Sequence, residues 1–232
     1  MNSTDQQNAA AHDPSRGGLQ HGQGARVPGS HLQLQPVLPG DADRAELEGY
    51  VRDRFAAKHG ASVRSFMPTL LSFRNRHGEL RGVAGIRSAH EAPLYLEHYL
   101  DRPIEQLVME SLSARVGVHA VAPRPVGRDE IVEVGNLAGT NCRAAVRMVA
   151  QLPAYLMARR YSWIVFTATS SVRQILAGFG APLIELGRAD PLRVAAAPDG
   201  WGRYYETDPR LFAGYLPDAG RLAGFAQHGF GH

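Results

Sequence analysis

Glu133 is the residue best placed to do chemistry, because it stands inside an otherwise apolar run, Ile131-Val-Glu-Val-Gly-Asn-Leu-Ala138. A carboxylate among Ile131, Val132, Val134 and Leu137 is costly to bury without a partner. Burial would lift its pKa toward neutrality, which suits a general base that takes a proton from an amine. Two structural roles compete with that one: the side chain faces solvent, or it pairs with an arginine such as Arg87. Gly135 and Asn136 follow directly. Glycine within a strand marks a bulge or a close approach by another backbone or a ligand. An opened ladder there frees an N–H to polarise a carbonyl; an ordinary twist of the strand is the alternative.

The turn Gly139-Thr-Asn-Cys-Arg143 leads from that strand into a helical pattern. A helix N-terminus presents free N–H groups suited to a phosphate or a polarised carbonyl, although the turn matches neither standard phosphate-loop spacing. Cys142 at the helix start is a conceivable nucleophile, but no His and Asn or Asp partners are assignable, and small-residue packing is the better reading. Arg87 closes the strand Gly82-Val-Ala-Gly-Ile-Arg87 and suits a substrate carboxylate, a brace for Glu133 or a surface ion pair. Glu97, His98 and Tyr99 form a further polar cluster; a lone His in such a mixed segment is more often packing or surface. The chain has no Gly-x-Ser-x-Gly elbow, His-Glu-x-x-His or Walker loop, which disfavours hydrolase, zinc protease and nucleotidase chemistry. No metal-ligand spacing occurs, and His228 and His232 read as solvated.

These residues need elements to hold them. The pattern predicts a strand over 131–138, a helix over 142–160 interrupted by Pro153, and a strand over 163–169. Upstream, Asp41 or Asp43 opens a helix carrying Leu47, Tyr50, Val51 and Phe55 and ending at Gly60. Strands follow over 65–73 and 80–88, with a turn at Asn75-Arg-His-Gly78. A short mixed segment covers 93–100, and Pro103 opens a helix with Ile104, Leu107, Val108 and Leu112 on its apolar face. A helix over 172–179 and short strands over 183–186 and 192–195 precede Trp201-Gly-Arg-Tyr-Tyr205. The order predicts one mixed α/β sheet, with the long helix crossing between neighbouring parallel strands.

At 232 residues and 44% apolar content the chain suits one domain with a real core. Residues 1–36 are polar and Gly/Gln-rich and read as a disordered tail, 37–217 as the folded domain and 218–232 as a second loose tail. The run 17–24 resembles a phosphate loop only in composition. No window approaches a membrane span and no secretory signal is evident. The single cysteine excludes an internal disulfide framework and fits a reducing cytoplasm. The formal charge is +3, yet Lys58 is the only lysine, so the arginine excess reflects coding bias. No basic stripe interleaved with aromatics points to nucleic acid.

Three segments in this order, Tyr95-Leu-Glu-His-Tyr-Leu-Asp-Arg-Pro-Ile-Glu105, Ile131-Val-Glu-Val-Gly-Asn-Leu-Ala138 and Trp163-Ile-Val-Phe-Thr-Ala-Thr169, resemble the thermostable haemolysin family. The resemblance covers about residues 50–216. It implies a GNAT-like acyltransferase fold, a single mixed and mostly antiparallel sheet flanked by helices, related to the acyl-homoserine-lactone synthases. Residues 82–87 are similar to the Gly-x-x-Arg strand of those synthases. Glu133-Val-Gly-Asn136 is similar to their Glu-Leu-Ser-Arg strand, with Asn136 in the arginine's place. The GNAT pyrophosphate loop is not reproduced in residues 139–144, so the donor is either acyl-CoA or the phosphopantetheine of an acyl carrier protein.

The resemblance implies transfer of an acyl group from a thioester to an amine or hydroxyl of a small-molecule acceptor by direct attack. Glu133, Arg87 and Glu97 form the expected catalytic set. Gly135, Asn136, Leu137 and Ala138 would hold the thioester, Gly139, Asn141, Arg143 and Ala144 would receive phosphate, and Thr167 and Thr169 would line the opposite strand. Expected partners are the acceptor, a carrier protein where that is the donor, and a second copy in a homodimer. A membrane-active haemolysin and a catalytically silent ligand-binding domain are the rival readings.

Overall fold

A computed structural model describes residues 32–116, 125–180, 182–194 and 200–219. The runs 1–31 and 220–232, with the Gly-rich run and the terminal histidines, lie outside the described residues, as does the side chain of Leu112.

Period-3.6 burial sets the first helix, α1 (Arg44–His59), whose Leu47 and Val51 are fully buried. Gly60 ends it in a left-handed conformation and donates its N–H to the Ala56 carbonyl at 2.8 Å. β2 (Thr69–Arg74) and β3 (Leu80–Ser88) form the expected hairpin. In its turn the Asn75 Oδ1 accepts the N–H groups of His77 and Glu79 at 2.9 and 3.0 Å. After a 3₁₀ turn at Tyr95–Tyr99 comes α2 (Ile104–Val116), then β4 (Ile131–Gly139), α3 (Cys142–Met157), β5 (Trp163–Ala168) and α4 (Ser170–Gly178). α3 carries β4 to a parallel neighbour, β5, as the strand–helix–strand pattern predicts, and continues through Pro153 to Met157.

Three assignments differ from the sequence reading. Residues 33–36, read with the polar tail, belong to a strand, β1 (Gln33–Val37), antiparallel to β2. It is a sheet edge, where one side meets water and Pro36 is tolerated, so polar composition hides it. Residues 191–194 form a 3₁₀ turn instead of a strand. β7 (Arg210–Tyr215) follows β6 (Leu183–Arg188) and inserts between β5 and β6, giving the seven-stranded order β1-β2-β3-β4-β5-β7-β6. β7 is short and its pattern, with Gly214, gives no period-2 signal; cross-strand pairing decides it. Among the described residues only β4 and β5 run parallel, so the sheet is mixed and mostly antiparallel.

Alternation along the strands divides the core. Val132, Val134 and Phe166 pack with Met148, Leu152, Leu156 and Leu176 on the α3/α4 face. Ile131 and Val165 pack on the other face with Leu96, Ile104 and Val108. Further along that second face α1 covers Leu70, Val83 and Ala138.

Candidate active site

The centre of the sheet is broken at β4. Its parallel pairing with β5 runs from Ile131↔Trp163 to Val134↔Phe166 and ends there. From Gly135 onward β4 keeps only β3 as a partner, while Thr167 and Ala168 pair with β7. The two strands therefore diverge into a wedge, and the β4 backbone groups directed at β5 beyond Val134 have no ladder mate.

A bulge on the other side of β4 makes the divergence. Against β3 the register steps from Gly85↔Gly135 to Val83↔Ala138, so Asn136 and Leu137 stand opposite the single residue Ala84. Asn136 takes a positive φ of 46° and its Oδ1 accepts the Met67 N–H at 2.9 Å. The extra residue flips the face: Val134 packs toward α3, whereas Ala138, four residues on, packs toward α1. The strand glycines permit this. A Cβ on Gly85 would lie 2.6 Å from Met67 Cβ and 2.9 Å from Asn136 Oδ1, and one on Gly135 would lie 2.6 Å from Met67 Cε. The bulge expected at Gly135 begins at its neighbour Asn136, and the close approach is made by the Met67 side chain and not by another backbone.

A cavity of about 1100 Å³ passes through the wedge and opens to both faces of the sheet. On the α3/α4 face its walls are apolar, with Val149 and Leu152 of α3, Ile164 and Phe166 of β5, and Val172 and Ile175 of α4. On the opposite face the walls are aromatic and charged, with Arg87, Tyr95, Glu133, Trp201, Tyr204 and the end of α1. Arg54 and Lys58 stand at the rim with Asn141 and Cys142; Arg54 donates to the Thr140 carbonyl at 2.8 Å.

Glu133 is 3% exposed and projects to the aromatic side. Its Oε2 accepts the Tyr95 N–H at 2.7 Å and its Oε1 the Leu96 N–H at 2.9 Å. These amides open the 3₁₀ turn Tyr95–Tyr99, so the carboxylate caps that turn. Burial pushes its pKa up to about 7, against the pull of the two amides and the Arg87 charge, with the Glu97 charge adding to the rise. Arg87 is its cross-strand neighbour and lines the same cavity, but donates to the Pro93 carbonyl at 3.2 Å. Neither of the two structural roles foreseen for Glu133 applies: backbone amides, not solvent or an arginine, satisfy it.

Glu97 stands apart from the cavity walls. Its carboxylate takes Arg128 in a two-pronged pair at 2.8 and 2.9 Å and accepts the N–H groups of Leu94 and Ile104. Burial opposes the charge, but Arg128 and those amides outweigh it and hold the carboxyl below its usual range. Its role in this structure is to join the 3₁₀ turn to the start of α2. The family resemblance put Glu97 in the catalytic set beside Glu133, and only the fold shows that the two carboxylates are aimed differently.

The expected donor residues divide likewise. Gly135, Asn136, Leu137, Ala138, Gly139, Asn141, Thr167 and Thr169 line the cavity, whereas Arg143 and Ala144 do not. Arg143 is exposed, Ala144 is buried, and the Ala144 N–H is taken by Asn141 Oδ1 at 2.9 Å. The first turn thus leaves the N–H groups of Cys142 and Arg143 for the rim. Thr169 is 6% exposed and its hydroxyl has no hydrogen-bond partner among the described residues. The sequence reading missed Phe55, His59 and Met67, which carry no motif, and left the dense aromatics of 201–205 without a role.

The matching family model, described as "Thermostable hemolysin", covers residues 37–220. No curated protein matches the chain by sequence. Among solved structures, the acyl-homoserine-lactone synthase LasI superposes with a TM-score of 0.52 at 15% identity, over 84% of this chain and 96% of that one. FeeM, an N-acyl amino acid synthase from uncultured soil microbes, gives 0.53 at 11%, over 84% and 97%. BjaI, a CoA-dependent acyl-homoserine-lactone synthase solved with SAM and isopentyl-CoA, gives 0.54 at 9%, over 87% and 91%. At these identities the likeness establishes the GNAT-like fold. The family match over residues 37–220 leads to one conclusion: the chain belongs to the thermostable haemolysin family.

Proposed function

We propose that the protein is an acyltransferase that moves an acyl group from a thioester donor, acyl-CoA or acyl carrier protein, to an amine or hydroxyl of a small metabolite. The observation that carries this reading is the wedge between β4 and β5, which opens beside a buried carboxylate and continues as one cavity on both faces of the sheet.

The apolar arm between α3 and α4 takes the acyl chain. The edge of Gly135–Gly139 that turns from β3 toward β5 has no ladder mate and faces the thioester, and a free N–H there steadies the carbonyl oxygen as it becomes negative. The pantetheine leaves by the rim, where Arg54, Lys58 and the first turn of α3 meet its phosphate. The acceptor enters from the aromatic face. Its nitrogen or oxygen attacks the carbonyl carbon, the new C–N or C–O bond forms, and the C–S bond breaks to release the thiol. Glu133 receives the acceptor's proton, directly or through a water, and the thiolate is reprotonated. A carboxylate with about four acceptor positions keeps capacity beyond its two amide bonds, and a pKa near 7 matches it to that task. Direct attack requires no protein nucleophile.

The test is thiol release from acyl-CoA and acyl-carrier donors incubated with an amine panel, with products read by mass spectrometry. Release that depends on an acceptor and is lost in Glu133→Gln supports the assignment; release unaffected by that substitution would remove Glu133 from it.

A further inference from the structure

The aromatic arm carries information on the acceptor, and the following inference rests on the transferase reading. Its wall is a continuous set of rings. Trp201 lies 6.4 Å from Phe55, 5.9 Å from Tyr95 and 5.2 Å from Tyr204, and His59 lies 5.4 Å from Tyr204, all between ring centroids. The Trp201 Nε1–H is committed to the Tyr95 hydroxyl at 3.2 Å, which holds the ring in place. The segment bearing Trp201 and Tyr204 is clasped to the end of α1. Ser62 donates to the Gly200 carbonyl at 2.6 Å and Arg203 to the His59 carbonyl at 2.7 Å. Gly202 makes the clasp fit, with φ at +52° and space for no Cβ, which would lie 2.3 Å from the His59 carbonyl oxygen. The rings therefore form a built surface, suited to a flat apolar group.

Charge narrows the class. Among the described residues lining the cavity, the cations are Arg54, Lys58 and Arg87 and the sole carboxylate is Glu133. None of the three cations is ion-paired among the described residues, whereas Arg44, Arg74, Arg128 and Arg210 elsewhere all are. His59 adds no charge, since burial and the neighbouring Lys58 and Arg203 lower its pKa. Arg87 spends one nitrogen on the Pro93 carbonyl and keeps the rest of its fork beside Glu133. A zwitterion satisfies this pair, carboxylate on Arg87 and amine toward Glu133, whereas a net-cationic acceptor leaves either Arg87 or its own extra charge without a partner.

We propose that this arm is the acceptor subsite and that it selects an α-amino acid of neutral or negative net charge with a flat, apolar side chain. L-Phenylalanine has this form. S-Adenosylmethionine, which bears an additional sulfonium charge, does not.

Trp201 is one of two tryptophans in the chain and the other, Trp163, is buried, so Trp201 reports on the arm. The full-length protein is titrated with L-phenylalanine, phenethylamine and S-adenosylmethionine, with and without coenzyme A, by fluorescence and by calorimetry. L-Phenylalanine is expected to bind saturably and at least about 10-fold more tightly than the other two, the equivalent of one charge-assisted contact. Arg87→Gln should weaken phenylalanine about 10-fold without weakening phenethylamine, and Trp201→Phe should abolish the fluorescence change while calorimetry still detects binding. Equal or tighter binding of phenethylamine or S-adenosylmethionine, an unchanged phenylalanine affinity in Arg87→Gln, or no phenylalanine binding under either condition overturns the proposal. Phenylalanine binding without thiol release from any acyl donor would sink the transferase reading and leave the subsite standing. Thiol release with other amines but without phenylalanine binding would do the reverse.

Discussion

Arg87 and Glu133 face each other across β3 and β4, yet the Glu133 carboxylate is held by the backbone amides of Tyr95 and Leu96 and not by the guanidinium. The charge is thus offset without neutralising the arginine, and both side chains reach the same cavity. This geometry sets the chemistry and the first prediction.

Glu133→Gln keeps the shape and removes the base. Acyl transfer should fall by about 10²–10⁴-fold. In the unsubstituted protein the rate should rise as pH passes through about 7, the value to which burial lifts this carboxyl. A pH profile of thiol release checks both, and a flat profile from pH 5.5 to 8.5 would contradict the assignment.

The same group links stability to pH. Its folded-state pKa, about 7, stands above its ordinary 4.5, so the folded protein holds the proton more tightly than the unfolded chain does. The stabilisation this gives is complete below about 4.5 and is lost as pH rises through about 7. Between pH 5 and 8 the midpoint of thermal unfolding should therefore fall by several degrees more in the unsubstituted protein than in Glu133→Gln. Circular dichroism melts at the two pH values measure the difference.

Gly85 and Gly135 pair across the bulge, but their neighbours differ in give. A Cβ at Gly85 meets Met67 Cβ near the backbone, whereas one at Gly135 meets the mobile Met67 Cε. Gly85→Ala should cost about 1–3 kcal/mol and Gly135→Ala less. Denaturant unfolding ranks them; equal costs would argue against the close approach of Met67.

Glu97 acts through structure. Glu97→Gln weakens the Arg128 pair and the join between the 3₁₀ turn and α2, and should cost about 1–3 kcal/mol. Because the Glu97 charge adds to the rise of the Glu133 pKa, the midpoint of the pH–rate profile should move slightly down while the plateau rate is kept. A plateau rate lowered as far as in Glu133→Gln would return Glu97 to the reacting groups.

Val149 of α3 and Val172 of α4 both line the apolar arm. Val149→Phe should shorten the preferred acyl chain by narrowing that arm, with little effect on acceptor preference. Competition between short and long acyl donors, read by mass spectrometry, checks it.

The sequence by itself determined that Glu133 is anomalous in its strand, that Gly135 and Asn136 interrupt that strand, and that a helix follows and returns to a parallel neighbour. Each is a local matter of side-chain type and spacing. Only the tertiary structure decided what these features mean. The wedge exists because pairing stops after Val134, and pairing is a property of two strands. Glu133 and Glu97 both entered the expected catalytic set, but one meets amides at a cavity wall and the other meets Arg128. The ring wall joins Phe55 and His59 to Trp201 and Tyr204, far apart in sequence and adjacent only once the chain has closed on itself. Contacts between residues so distant carry no local period, so the fold had to bring them together before their chemistry could be read.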